Sequence, residues 1–269
     1  MADLGVKERA ASSEPQRWEA FDLTGRRALV TGAARGIGAA AATALGRHGA
    51  ELLVADQNQD GLEQTASRLA GAGAKVQALG IDVRSTDDVA RMVDAGASAG
   101  GIDILVNCAG VIDRKPSPEA TLEDLDRLWE VNVRGLYSVT QAFLPQLIER
   151  GGGKIVNVGS LGSLLGLEHR AAYAATKGAV LRYTQSLAID LGGYGICANT
   201  IAPGYIETDL SAGWLDGDDS RRDGMLQRIV LKRFGSPIDV EGAFVFLTAP
   251  ASDYVTGQVL IVDGGWTSW

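Results

Sequence analysis

The sequence predicts an α/β fold: one domain built on a doubly wound sheet of seven mainly parallel strands, with helices on both faces. Three observations predict it. Short runs rich in Val, Ile and Leu alternate with longer amphipathic stretches along the chain. Those short runs are apolar on both faces, as strands are when helices cover a parallel sheet from each side. The 35 glycines gather at the ends of the runs, where the backbone turns or approaches a neighbour closely.

The elements follow in order. "RALVTG" (27–32), "ELLVAD" (51–56), "VQALGID" (76–82), "IDILVNCAG" (102–110), "KIVNVGS" (154–160), "ICANTIAPG" (196–204) and "GQVLIVDGG" (257–265) read as the strands. Between them, residues 36–49, 59–73, 86–100, 122–150, 171–191 and 238–250 carry helical spacing. Gly49, Gly71 and Gly100 stand where helices stop. Residues 202–236 break the alternation, being long, charged and irregular, and read as a lid over about 205–235. Residues 1–21 carry charges where a secretion signal needs an apolar core and read as a flexible tail, leaving 22–269 as the domain.

Bulk properties narrow the function. With 46% hydrophobic and 22% charged residues, the 269-residue chain is long enough to bury a full core. A net charge of −8 disfavours nucleic acid or an anionic membrane surface as partner, and no apolar run reaches the ~20 residues of a membrane span. A small-molecule ligand is expected instead. The two cysteines, Cys108 and Cys197, lie in strand contexts and read as reduced packed thiols, which places the chain in the cytoplasm. His48 and His169 are the only histidines, and no metal-ligand spacing occurs, so no metal is expected.

"TGAARGIGAAAA" joins the first strand to a helix through a glycine turn. Gly32, Gly36 and Gly38 remove side chains where a dinucleotide pyrophosphate would approach, and the helix starting near Ile37 aims its N–H groups at that anion. The spacing departs from the general G-x-G-x-x-G fingerprint, so the loop alone is weak evidence. Asp56 closes the second strand about 20 residues further on, where a carboxylate accepts hydrogen bonds from a ribose diol. Asp82, with Val83 beside it, closes the third strand at a position suited to an adenine edge. Asp56 would repel a 2′-phosphate and Gln57 is not basic, which favours NAD over NADP. Arg35, in the loop itself, is the contrary signal.

Tyr173 and Lys177 stand four apart on one helix face, thirteen residues after Ser160 ends a strand. Taken with "TGAARGIG", "NCAG" and "PGYIET" in this order, they make the sequence resemble the short-chain dehydrogenase/reductase family over residues 22–266. The resemblance implies a Rossmann-type fold and hydride transfer between a nicotinamide and a CH–OH group. It implies Tyr173 as acid/base, with its pKa lowered by the Lys177 ammonium together with the positive nicotinamide ring of the oxidised complex, and Lys177 also binding the nicotinamide ribose. Ser160 would hold the substrate oxygen, and the backbone carbonyl of Asn132 would hold a relay water. Asn107, Ala109 and Gly110 in "NCAG" resemble cofactor contacts, although Cys108 stands where the family usually has a second Asn. Pro203, Gly204, Ile206 and Thr208 resemble the positions that meet the nicotinamide carboxamide and the phosphate. A homotetramer is implied too, in keeping with helices at 136–148 and 171–191 that are small and apolar on more than one face.

Within the family the similarity runs to sugar-acid and polyol dehydrogenases of the gluconate and deoxy-ketogluconate types. The pocket is expected from residues 160–170, 112–115 and the lid around Trp214, where Arg114, Lys115, Glu168, His169 and Arg170 suit a hydroxylated or anionic substrate, with a substrate carboxylate met near Arg114 and Lys115 unless Asp113 already neutralises them. Two alternatives stand beside this: a 3-oxoacyl-thioester reductase using NADPH, which Asp56 disfavours, and a nucleotide-binding module without catalysis, which the Tyr173–Lys177 pair disfavours.

Overall fold

The computed structural model describes residues 19–208 and 219–269. Most of the expected tail, residues 1–18, and Trp214 therefore lie outside the described residues. Seven strands form one sheet: β1 (Arg27–Thr31), β2 (Glu51–Asp56), β3 (Val76–Gly80), β4 (Ile104–Asn107), β5 (Gly153–Val158), β6 (Ile196–Pro203) and β7 (Val259–Val262). Their order is β3-β2-β1-β4-β5-β6-β7, and every pairing is parallel. Between β1 and β4 the winding reverses, so the loops after these strands diverge and leave a crevice at their C-terminal ends.

The helices are α1 (Gly36–Arg47), α2 (Gln59–Gly71), α3 (Thr86–Ser98), α4 (Leu122–Trp129), α5 (Leu136–Glu149), α6 (Ala171–Leu191), α7 (Asp219–Arg228) and α8 (Glu241–Thr248). Alternate side chains of each strand face opposite layers. Ala28 and Val30 of β1 pack with Leu45 of α1 and Phe244 of α8. Leu29 between them packs with Met92 of α3, Phe143 of α5 and Leu187 of α6. This is the two-sided burial that the apolar strands predict.

Three details differ from expectation. The run 122–150 is not one α-helix, because residues Glu130–Gly135 between α4 and α5 form a π-helical segment. Asn132 sits inside it, where a polar side chain competes with the helical backbone for hydrogen bonds. Helix α2 stops through Gly73, at φ 90°, and not through Gly71. The stretch read as irregular contains α7, whose Met225 packs with Ile229, Phe234, Leu161 and Trp266 in a small core of its own.

Candidate active site

A cleft crosses the C-terminal ends of the strands, from the β2 and β3 loops to the start of α6. The glycine loop forms one wall, with Gly32, Arg35, Gly36, Ile37 and Gly38 all lining it. The three glycines act differently from one another. A Cβ on Gly38 would lie 2.0 Å from the Gly32 carbonyl oxygen, so this glycine lets α1 pack against the turn. Gly32 has φ 70°, and a Cβ there would meet the Ala109 nitrogen at 2.7 Å. Only Gly36, at φ 57° with nothing nearer than the Thr208 methyl at 3.4 Å, leaves room on the cleft side. No side chain caps α1, so its first N–H groups face the cleft as an anion site.

Asp56 ends β2 at the same wall. One carboxylate oxygen accepts the Ala34 N–H at 3.1 Å and the other the Asn58 N–H at 2.9 Å, which fixes the group while leaving each oxygen further lone pairs. Asp82 and Val83 also line the cleft, two and three residues beyond the end of β3. Arg84 grips the Asp82 carboxylate at 2.6 Å and holds its pKa below the usual range. The fit to a dinucleotide is good: an uncapped helix start with an open glycine, then a carboxylate, then a second carboxylate edge.

At the other end, Ser160, Tyr173 and Lys177 converge. Ser160 follows β5, and its hydroxyl accepts the Gly162 N–H at 3.1 Å. Tyr173 and Lys177 lie one turn apart on α6, with the ammonium 5.9 Å from the phenol ring centroid. Lys177 donates to the Val158 carbonyl at 2.9 Å and is buried, and burial brings its pKa down to about 8. Burial also raises the Tyr173 pKa, with hydrogen bonding to Ser160 and the nearby charges of Arg170 and Arg114 acting in the opposite direction. The expected lowering by Lys177 is therefore absent from the free protein, where desolvation outweighs the neighbouring cations.

Asn132 acts through its side chain. Its Oδ1 accepts the Val111 N–H at 2.8 Å, while Nδ2 donates to the Val111 carbonyl at 2.9 Å and to Thr176 Oγ1 at 3.1 Å. Thr176 in turn donates to the Tyr173 carbonyl at 2.7 Å. The π segment thus ties the loop after β4 to the turn of α6 that carries Tyr173 and Lys177.

Ala109, Gly110, Pro203, Gly204, Ile206 and Thr208 line the cleft as well. Asn107 does not. It is buried below, donating to Thr140 Oγ1 and Asn157 Oδ1 at 2.9 Å each, and so ties β4 to α5 and β5. Of Arg114, Lys115 and His169, only Arg114 faces the cleft. Lys115 pairs with Asp124 at 2.6 Å, and both Lys115 and the exposed His169 border a separate shallow depression. Asp113 pairs with Arg127 at 2.8 Å. Arg170 and Tyr205 also line the cleft, Arg170 as one of the charged residues expected on the 160–170 stretch and Tyr205 without an expected role.

A family model described as enoyl-(acyl carrier protein) reductase matches residues 32–267. Gluconate 5-dehydrogenase of Gluconobacter oxydans is 42% identical over 248 residues, covering 92% of this chain and 96% of the relative. The chain belongs to the short-chain dehydrogenase/reductase family. D-threitol dehydrogenase of Mycolicibacterium smegmatis is 38% identical, covering 92% of this chain and 95% of its own. Among solved structures, a gluconate 5-dehydrogenase from Burkholderia cenocepacia in complex with NADP and tartrate superposes with a TM-score of 0.90 at 40% identity, covering 94% of this chain and all of that one. Membership makes this chain an NAD(P)-dependent oxidoreductase acting on CH–OH groups. No helix among the described residues is long and apolar enough to cross a membrane, and no cluster among them has the makings of a metal site.

Proposed function

We propose that the chain transfers hydride between NAD and a secondary alcohol or ketone of a sugar acid or polyol, with Tyr173 as acid/base. One observation carries this reading: Ser160, Tyr173 and Lys177 converge at one end of a cleft whose other end offers the α1 terminus and Asp56. When bound, the nicotinamide supplies the carbon that takes or gives the hydride. Ser160 holds the substrate oxygen, and Tyr173 moves the hydroxyl proton. Lys177, held by the Val158 carbonyl, keeps two further N–H donors for the cofactor ribose. Asp56 supports NAD, since its charge repels a 2′-phosphate, while the exposed Arg35 at the same wall is the feature that opposes it.

The test is an initial-rate survey of gluconate, tartrate, glucitol and threitol with NAD and NADP, followed by absorbance of the reduced nicotinamide. Tyr173→Phe is expected to lower turnover at least a thousandfold with cofactor affinity nearly unchanged. Retention of most of the activity overturns the assignment of Tyr173. A clearly higher kcat/KM with NADP overturns the charge argument at Asp56 and promotes Arg35 to phosphate ligand.

The proposal extends to a cytoplasmic homotetramer. Both cysteines are free thiols, and burial pushes Cys108 up to about 12, so it stays protonated. Trp129, Tyr137, Ile148 and Ile189 expose apolar surface on α4, α5 and α6, as a helix-to-helix subunit contact requires. A monomer in sedimentation at micromolar concentration overturns the assembly.

A further inference from the structure

Beside Tyr173 the cleft carries two arginines from different loops, Arg114 and Arg170. Their loops are joined: the Lys115 N–H donates to the His169 carbonyl at 2.7 Å. His169 stands at φ 57°, a left-handed conformation that strains a non-glycine residue and turns the chain sharply just before Arg170. Arg170 is then buried, with 6% of its surface exposed. Tyr205 steadies it twice, accepting from Nη1 at 3.2 Å and lying under the guanidinium with 5.6 Å between its ring centroid and Cζ. Tyr205 is itself braced edge-on against Trp266 at 4.7 Å. A planar fork fixed in this way at a cleft wall is suited to carboxylate recognition.

Lys115 does not serve that role. It pairs with Asp124 outside the cleft. Arg114 and Arg170 feel each other: burial and then the Arg170 charge depress the Arg114 pKa.

We infer that Arg170 and Arg114 together hold the carboxylate of a sugar-acid substrate at the Tyr173 end of the cleft, with Tyr205 positioning Arg170. This rests on the sugar-acid reading above and makes Arg170 a specificity-determining residue. The phenol lies beside both guanidinium groups, so the carboxylate sits a few carbons from the reacting alcohol. Neutral polyols of the same length then bind without the ion pair.

The experiment compares gluconate with glucitol, and tartrate with threitol, on the full chain saturated with oxidised cofactor. Affinity is read as Kd by calorimetry and, where turnover occurs, as KM. The quantity that decides is the preference ratio of each acid over its polyol. Arg170→Met is expected to lower that ratio tenfold or more, Arg170→Lys to restore part of it, and Tyr205→Phe to lower it by a smaller factor. Far-ultraviolet circular dichroism and melting temperature establish that each variant is folded. If Arg170→Met does not fold, Arg170→Lys and Tyr205→Phe decide by the same ratio. Unchanged ratios in the folded variants overturn the inference, as does a wild type that prefers neither acid over its polyol. Tyr173→Phe separates the two readings: it abolishes turnover while leaving the calorimetric ratio intact, so either can fail without the other.

Discussion

Asn132→Asp isolates what the π segment does for the site. The change is nearly isosteric and keeps Oδ1 as acceptor for the Val111 N–H, but it replaces the Nδ2 donor that serves the Val111 carbonyl and Thr176 Oγ1. Asn132 has no exposed surface, so neither deprived acceptor gains water at the same position. A buried polar group left unsatisfied costs about 1–3 kcal/mol, and two of them together give about 2–6 kcal/mol. Protonation of the new carboxyl returns one donor, which places the expected loss near the lower half of that range, about 3 kcal/mol. Urea unfolding with a shared slope for both proteins measures it. The Thr176–Tyr173 link loosens at the same time, and misplacing a reacting group by about 1 Å costs roughly a hundredfold in rate. The variant is therefore expected to lose about a hundredfold in kcat with cofactor affinity much less affected. A variant within 0.5 kcal/mol of wild type, or one with unchanged kcat, would refute the role given to the Asn132 side chain.

Three further outcomes follow from the cleft. Gly38→Ala should prevent folding or lower Tm steeply, because its Cβ meets a backbone carbonyl at 2.0 Å, whereas Gly36→Ala should fold with a loss of about 1 kcal/mol and weaker cofactor binding; equal Tm values for the two refute the distinction. Asp56→Asn keeps one acceptor oxygen and removes the charge, so kcat/KM for NADP relative to NAD should rise about tenfold, read by paired initial rates. Lys177 releases its proton near pH 8 when folded and near about 10.4 when unfolded. Between these values the unfolded chain holds more protons, so this group adds stability as pH rises. The stability difference between wild type and Lys177→Met should accordingly shift in favour of wild type from pH 8 to 10, and a flat difference counts against the buried ammonium.

What could be read from the residues alone was the part of the structure that depends on periodicity. Leu29 and Val30 face opposite layers because strand side chains alternate, and both are apolar because both layers are helical. Asp56 was legible because a carboxylate at a strand end has few other uses. The substrate side was not legible in the same way. Lys115 and Arg114 are neighbours in sequence, yet Asp124 takes one and the cleft the other. Arg170 meets Tyr205, 35 positions away, only because the chain turns at His169 and Trp266, near the C-terminal end of the sequence, braces Tyr205. Nothing local in the sequence encodes these approaches. The split of 122–150 into α4, π segment and α5 was hidden for a related reason, since the one extra residue per turn is held open by Asn132 bonding across to Val111.

The electrostatics of the phenol follow from the same long-range placement. A Tyr-x-x-x-Lys pair suggests an ammonium pressed against a phenol, but Lys177 turns its proton toward the Val158 carbonyl and is itself poised near pH 8 by burial. The cations that oppose the burial of Tyr173 are Arg170 and Arg114. In the free protein the phenol is thus a proton donor, the form needed to reduce a ketone. Oxidation needs the phenolate, and an oxidised nicotinamide ring brings positive charge of the sign that favours it. A substrate carboxylate seated on the two arginines has the opposite effect, because it cancels part of the field that opposes the upward shift of the tyrosine pKa. Acid and polyol substrates should therefore differ in pH dependence as well as in affinity. With the polyol bound no substrate carboxylate offsets the arginines, so the rising limb of kcat against pH for oxidation should lie at lower pH for threitol than for tartrate. Coincident limbs for the two substrates would show that the arginines do not act on Tyr173.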